Sequence, residues 1–217
     1  MGSFIDYLTA PGTMDALIEQ GIAHIQLTGA AVITAVIIGI SLGIVAHRSM
    51  LARGPILNTM SILLTIPSLA FFAILIPIVG IGAGPAYIAL TAYALLPITR
   101  NTVAGLRAVD PAVVESGRGM GLNNRQRLIQ MEMPVAWPII LTGIRVATLL
   151  IVGIAAIAAL VGGPGLGEEI YLNGIRRIGS PGAFEALFGG TLAVLVVAFL
   201  FDIVYQLIGR VTISKGL

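Results

Sequence analysis

From Gly54 to Thr99 the chain carries no Asp, Glu, Lys, Arg or His. Drawn as one helix, that stretch would be about 69 Å long at ~1.5 Å per residue, roughly twice the ~30 Å hydrocarbon thickness of a bilayer. It therefore crosses twice. Gly80, Gly82, Gly84 and Pro85 supply the turn, because glycine accepts positive φ and proline starts a helix without missing its N–H. The pattern predicts spans over residues 56–79 and 86–106. Before them, Leu27 to Ala46 is apolar and uncharged and is closed by His47 and Arg48, with Gly29, Gly39 and Gly43 offering faces for close helix packing, so a span is predicted over 22–46. After Pro134 an apolar tract interrupted only by Arg145 predicts a span over 135–161, and a last one carrying Asp202 covers 186–209. The expected fold is an all-α integral membrane protein of about five spans in one domain, residues 1–217, with polar segments at 110–134 and 162–185 between spans.

Thr13 to Gln26 reads as an external approach helix entering the first span, with Thr13 as its cap and Asp15 and Glu19 at the positive end of its dipole. The N-terminus has acidic Asp6, Asp15 and Glu19 but no early Lys or Arg, unlike the basic n-region of a cleaved signal, so the first apolar segment is kept as structure. Basic residues set the orientation. Arg48, Arg53, Arg100, Arg107, Arg118, Arg125, Arg127, Arg210 and Lys215 fall on one side of the predicted spans, and Arg176 and Arg177 on the other. The positive-inside rule then puts the N-terminus outside and the C-terminus in the cytoplasm.

Composition agrees: 57% of residues are hydrophobic and 10% charged, far from a soluble domain. A net charge of +2 with basic residues scattered singly lacks the clustered footprint that nucleic acid requires. Zero cysteines exclude thiol chemistry and disulfides. His24 and His47 lie at opposite ends of the first span without a partner at ligand spacing, so no metal site is expected. No G-x-x-x-x-G-K-[ST] loop is present, so this polypeptide does not cradle ATP.

The segment 110–134 is the longest polar stretch on the basic side. Asp110 reads as an N-cap with Pro111 at the first helical position, and Gly121 is placed to end that helix left-handed. Asn123 with Gln126 approaches a capping box for a second helix running towards Met133 and Pro134. Two capped helices about a glycine are more organisation than a solvated linker needs. The spacing Glu115-Ser116-Gly117, three residues, Gly121, nine residues, Met131-Glu132-Met133-Pro134 resembles the EAA loop of ABC importer permeases, which runs Glu-Ala-Ala, three residues, Gly, nine residues, Ile-x-Leu-Pro. Ser116 and Gly117 replace the two alanines, and Met131 and Met133 the aliphatic pair. Gly117 weakens its helix by about 1 kcal/mol relative to Ala.

The resemblance extends to Thr65-Ile66-Pro67-Ser68-Leu69-Ala70, Val79-Gly80-Ile81-Gly82, Tyr93-Ala94-Leu95-Leu96-Pro97-Ile98, Arg100-Asn101-Thr102 and Val109-Asp110-Pro111, which look like the osmoprotectant permeases, importers of glycine betaine, choline, carnitine and similar quaternary amines. It covers about Ile22 to Lys215. It implies the MetI-like type I importer permease fold in a bacterial cytoplasmic membrane. It also implies a second permease subunit, identical or paralogous, two cytoplasmic ATPase subunits holding ATP and Mg, and an external substrate-binding protein. On this reading Asp110, Pro111, Glu115, Ser116, Gly117, Arg118, Gly121 and Pro134 form the ATPase-docking loop, and this chain performs no chemistry itself. A permease for another small solute, such as an amino acid, shares the same loop. A channel or secondary transporter without an ATPase is the reading from another class, and the loop's spacing speaks against it.

Pro67 and Pro77 fall inside the second span and favour a kink or break, which makes that span a candidate pathway wall. Phe71, Phe72 and Tyr93 are the nearest aromatics, and aromatic faces attract quaternary ammonium; core or lipid packing is the alternative. Gly163, Gly165 and Gly167 lie in a glycine-rich external segment, read as flexible. With Glu168 and Glu169 they are candidates for an outer gate and binding-protein contact, against ordinary solvated loop residues. Arg145 and Asp202 lie at comparable depths in their spans and are expected to pair, the alternative being that Arg145 snorkels alone.

Overall fold

A computed structural model describes residues 4–213; Lys215, one of the basic residues used for orientation, lies outside them. A short helix α1 (Phe4–Thr9) precedes α2 (Thr13–Arg48), α3 (Met50–Thr65), α4 (Ser68–Val79) and α5 (Ala83–Arg107). Then follow α6 (Pro111–Gly119), α7 (Asn124–Arg127), α8 (Met133–Ala155) and α9 (Ala183–Thr212). Residues 128–132 and 168–174 are π-helical, and 156–161 and 175–177 are 3₁₀.

The approach helix and the first span are one continuous rod. At 36 residues α2 is about 54 Å long, so it projects well beyond the hydrocarbon. Its cap differs from the expectation: Gly12, at φ +83°, occupies the N-cap and Thr13 is already helical. The predicted second span is two helices. Pro67 has no N–H and forces Ile66 into extended geometry, so α3 stops at Thr65 and α4 leaves at 99° to it. Pro77, by contrast, sits within α4. Gly80 and Gly82 take positive φ at the next turn, as predicted.

By length and composition, α2, the continuous run 124–161 and α9 are able to cross a membrane, and the pair α3 and α4, bent by 99°, is either a broken fourth span or a re-entrant loop. The remaining predicted span, 86–106, falls on α5, which is not among these helices. It has 25 residues but carries Arg100, Asn101, Arg107 and several threonines, and it packs between α2 and α8. Its surroundings are protein rather than lipid, so apolarity all round is not demanded of it. Tyr93 and Ile98 of α5 lie in one core with Ala31 and Ala35 of α2 and Ile140, Ile144 and Ile151 of α8.

Small residues set how closely these three rods approach. A Cβ on Gly43 would stand 2.5 Å from the Thr102 Cβ, and one on Gly143 would overlap the Asn101 side chain. A Cβ on Gly39 would stand 2.9 Å from the Ile98 side chain, and the Thr99 hydroxyl donates to the Gly39 carbonyl at 3.2 Å. Gly29, also predicted to pack, faces open space instead.

Candidate functional site

At one end of the bundle α6 begins with Asp110, whose carboxylate accepts from the Ala112 N–H at 2.8 Å, and Pro111 follows at N1. It ends on Gly121 at φ +79°. Leu122 N–H returns to the Gly117 carbonyl (3.1 Å) and Gly121 N–H to that of Arg118 (3.0 Å), a Schellman termination that satisfies the last carbonyls. Asn123 and Gln126 form a reciprocal capping box on α7. Glu115, Ser116, Arg118 and Pro134 are exposed, while Val113, Val114 and Gly117 face inward. The exposed surface of α6 thus presents one carboxylate, one guanidinium and, at its tip, Met120 with 63% of its surface free.

The second helix of this segment does not end at Pro134. It continues through the π-helical turn 128–132 into α8 as a single run to Val161, and the wider turn immediately precedes the proline, which cannot donate to it. That turn also builds a contact the sequence did not disclose. Residues five apart diverge on an α-helix but stack when the bonds run i to i+5, which sets Glu132 beneath Arg127 with Nε to Oε1 at 3.4 Å. Arg48, the last residue of α2, reaches the same oxygen at 3.3 Å. Glu132 and Arg127 are both buried, and Arg127 also donates to the Asn124 side chain at 3.0 Å. The Arg127 stem runs over Gly117, where a Cβ would meet its Cγ at 3.2 Å. Glycine in place of alanine at 117 thus makes room for a buried arginine. The segment 110–134 is in this way tied to the end of α2, beside an open cleft of about 530 Å³. Arg48, Arg53, Arg107, Arg118 and Arg127 line that cleft with Glu115 and Glu132.

Pro67, Phe71, Phe72 and Tyr93 do come together. The break at Pro67 leaves the Ile66 carbonyl without a helical partner, and the Tyr93 hydroxyl donates to it at 2.7 Å. Phe71 meets Tyr93 edge to face at 5.6 Å. Phe72 and Tyr93 are almost wholly enclosed in the core, at 0% and 2% exposure. Their faces are therefore covered by this chain's own atoms. As aromatics lining a pathway these two are corrected: Tyr93 ties the bend at Ile66, Phe72 packs in the core, and of the three aromatics Phe71 alone is partly open.

The glycine-rich segment at 162–167, read from the sequence as flexible, is closely packed. Gly163, Gly165 and Gly167 are buried. Gly163 N–H bonds back to Ala158 (2.8 Å), Gly82 N–H bonds to Val161 (3.1 Å), and Gly165, at φ +128°, lies against His24. His24, itself buried, donates Nε2 to the Val152 carbonyl at 3.0 Å. A Cβ on Gly167 would penetrate the Ala156 carbonyl. These glycines let the chain fold back on the end of α8. Glu168 stays partly exposed, but Glu169 is 5% exposed and so is not a free docking charge. Its carboxylate accepts from Tyr7 Oη, from Asn173 Nδ2 (2.8 Å) and from Gln20 Nε2 (3.5 Å), fastening α1 to the turn 168–174 and to α2. Burial first, then the bond to Glu169, holds the Tyr7 hydroxyl proton well above the ordinary tyrosine range.

Arg145 and Asp202 meet, with Nε to Oδ1 at 2.5 Å, bridging α8 and α9.

Residues 16–213 match the family described as binding-protein-dependent transport system inner membrane component. The choline transport system permease protein OpuBB of Bacillus subtilis is 35% identical over 201 residues, covering 93% of this chain and 90% of that protein. The osmoprotectant import permease protein OsmW of Salmonella typhimurium is 39% identical over 199 residues, 89% of this chain and 90% of its own length. Among solved structures, an inward-facing MetNI methionine ABC transporter superposes with a TM-score of 0.82 at 20% identity, over 95% of this chain and 100% of that one. An amino acid ABC transporter crystallised with histidines gives 0.76 at 19% identity, over 97% and 99%. These two likenesses show the fold. On the extent of the family match and the identity to its relatives, the chain belongs to the binding-protein-dependent transport system inner membrane components, the permease subunits of ABC importers.

Proposed function

We infer that this permease imports a quaternary-amine osmoprotectant, coupled through the segment 110–134 to a separate ATPase, and that it works with a second permease subunit, two ATPase subunits and an external binding protein. The observation that carries the reading is α6 itself: a capped, glycine-terminated helix exposing Glu115, Ser116, Arg118 and Met120. Its Gly117 packs against Arg127, which Glu132 pairs with and joins to Arg48 at the end of α2. A helix that only linked two spans would need neither. The substrate class is supported by relatives named for choline and osmoprotectants at 35–39% identity. Amino-acid transporters share the fold at only 19–20% identity.

In mechanism, ATP binding draws the ATPase subunits together and moves both α6 helices. The Glu132 tie carries that displacement to α2, and the continuous run from α7 carries it into α8. The pathway then turns outward to accept substrate from the binding protein, and hydrolysis resets it. The cleft gathering five arginines beside α6 supports a cytoplasmic face there, and with it an external N-terminus.

Co-purification with the ATPase, and ATP-dependent uptake of radiolabelled choline or glycine betaine, test the reading together. Glu115→Lys or deletion of residues 112–121 is expected to abolish both. Uptake that survives those changes would assign the chain to a transporter that works without the ATPase.

A further inference from the structure

Three polar contacts fasten α9 to α8. Trp137 Nε1 donates to Thr212 Oγ1 at 2.8 Å, Arg145 Nε to Asp202 Oδ1 at 2.5 Å, and the Thr148 and Tyr205 hydroxyls meet at 2.8 Å. The middle contact is unlike its neighbours. The second Asp202 oxygen accepts from Gln206 Nε2 at 2.8 Å, so the carboxylate is satisfied within the chain. The Arg145 side chain nonetheless remains 44% exposed. Its two Nη nitrogens have no acceptor among the described residues, and Thr142 and Val146 are exposed beside it on α8.

Depth makes that exposure informative. Arg145 lies eight residues beyond Trp137 and Asp202 eight before Arg210, each about 12 Å along its helix and so well inside a hydrocarbon layer of ~30 Å. Asp202 is too short to snorkel, and its bond to Nε pins the guanidinium at the same depth. A guanidinium fork with open donors is expensive against lipid and is expected to face water or protein.

We propose that this face of α8 and α9 lines the wet transport pathway, and that the open Nη edge of Arg145 binds the carboxylate of a zwitterionic substrate. Asp202 and Gln206 act as positioning residues. With Nε held by Asp202, the two Nη groups present parallel N–H donors, the arrangement that receives a carboxylate in bidentate fashion. A lysine would keep the charge but not the fork. The proposal rests on the quaternary-amine reading above and narrows it: carboxylated amines need Arg145, and carboxyl-free ones do not.

Uptake by the intact importer of glycine betaine, which has a carboxylate, and choline, which has none, tests it. In Arg145→Lys, glycine betaine uptake is expected to fall at least tenfold further than choline uptake, and choline also reports that the variant is assembled. Equal loss of both would reduce the pair to a structural clasp and overturn the proposal. The chain's lack of native cysteine gives a second arm. Thr142→Cys and Val146→Cys, in the assembled importer in nanodiscs, are expected to react with a charged methanethiosulfonate reagent, and glycine betaine should slow the reaction. Thiols that stay unlabelled would place this face against lipid or protein and overturn the proposal. A wild-type importer that takes up neither compound would sink the substrate reading instead, while labelled thiols would still uphold a wet Arg145 face.

Discussion

Replacing Glu132 by alanine removes one carboxylate and strands two cations. Arg127 is 5% exposed and sits within a packed layer over Gly117, so it cannot turn to water without unpacking the loop. Breaking a buried ion pair by deleting one partner costs about 3–5 kcal/mol. The contact distances of 3.3 and 3.4 Å are longer than an ideal charged hydrogen bond, and Arg127 keeps Asn124, so the low end, about 3 kcal/mol, is expected. At about 1.4 kcal/mol per factor of ten, that raises the population in which the segment 124–132 is detached about 100-fold. Arg48 contributes less: its side chain is 36% exposed, and Arg48→Ala is expected to cost no more than about 1 kcal/mol. Hydrogen exchange resolves the difference. Amides of residues 124–132 should exchange about 100 times faster in Glu132→Ala and less than tenfold faster in Arg48→Ala. Retained ATPase with depressed ATP-driven uptake should accompany the larger change, because α6 would still dock but no longer be tied to α2. Equal exchange in the two variants would refute the reasoning, since it would mean that the buried network does not hold the segment.

Gly43→Val drives a branched side chain into Thr102 and is expected to cost about 2 kcal/mol or more, lowering the melting midpoint in detergent by several degrees, whereas Gly29→Val faces open space and should leave it unchanged. Gly121→Ala places a Cβ at φ +79°, which costs about 1–2 kcal/mol; ATPase co-purification should weaken without a change in the spans' helicity. Tyr7→Phe removes the donor to Glu169, so α1 should become sensitive to limited proteolysis near residues 10–12. Because folding raises the affinity of the Tyr7 oxygen for its proton, its stabilising effect is complete below the ordinary tyrosine value of about 10 and is lost only as pH rises through the folded value. Alkaline difference spectra of wild type against Tyr7→Phe should show a late-titrating tyrosine.

Much of this protein is written locally in its chain. The charge-free stretch from Gly54 to Thr99 is too long for one helix across a bilayer, and it does break at the Pro67 bend and at the Gly80 to Gly82 turn. Asp110, Gly121 and Asn123 specified the ends of α6 and the start of α7 because caps act on backbone groups only two or three residues away. The Arg145 and Asp202 pairing was legible because both charges stand out against an apolar background at matching depth. Other features depended on what lies across the fold. That α5 is the hub explains its low hydropathy, and only the packing of α2 and α8 around it shows that protein replaces lipid there. Glu132 and Arg127 became partners through a π turn whose i to i+5 spacing no α-helical reading would align. Phe72 and Tyr93 turned from pathway aromatics into core because burial is a property of neighbours. Gly163, Gly165 and Gly167 are closely packed rather than free for the same reason: whether a missing side chain means freedom or contact is decided by what stands opposite, here Ala156, Ala158 and His24.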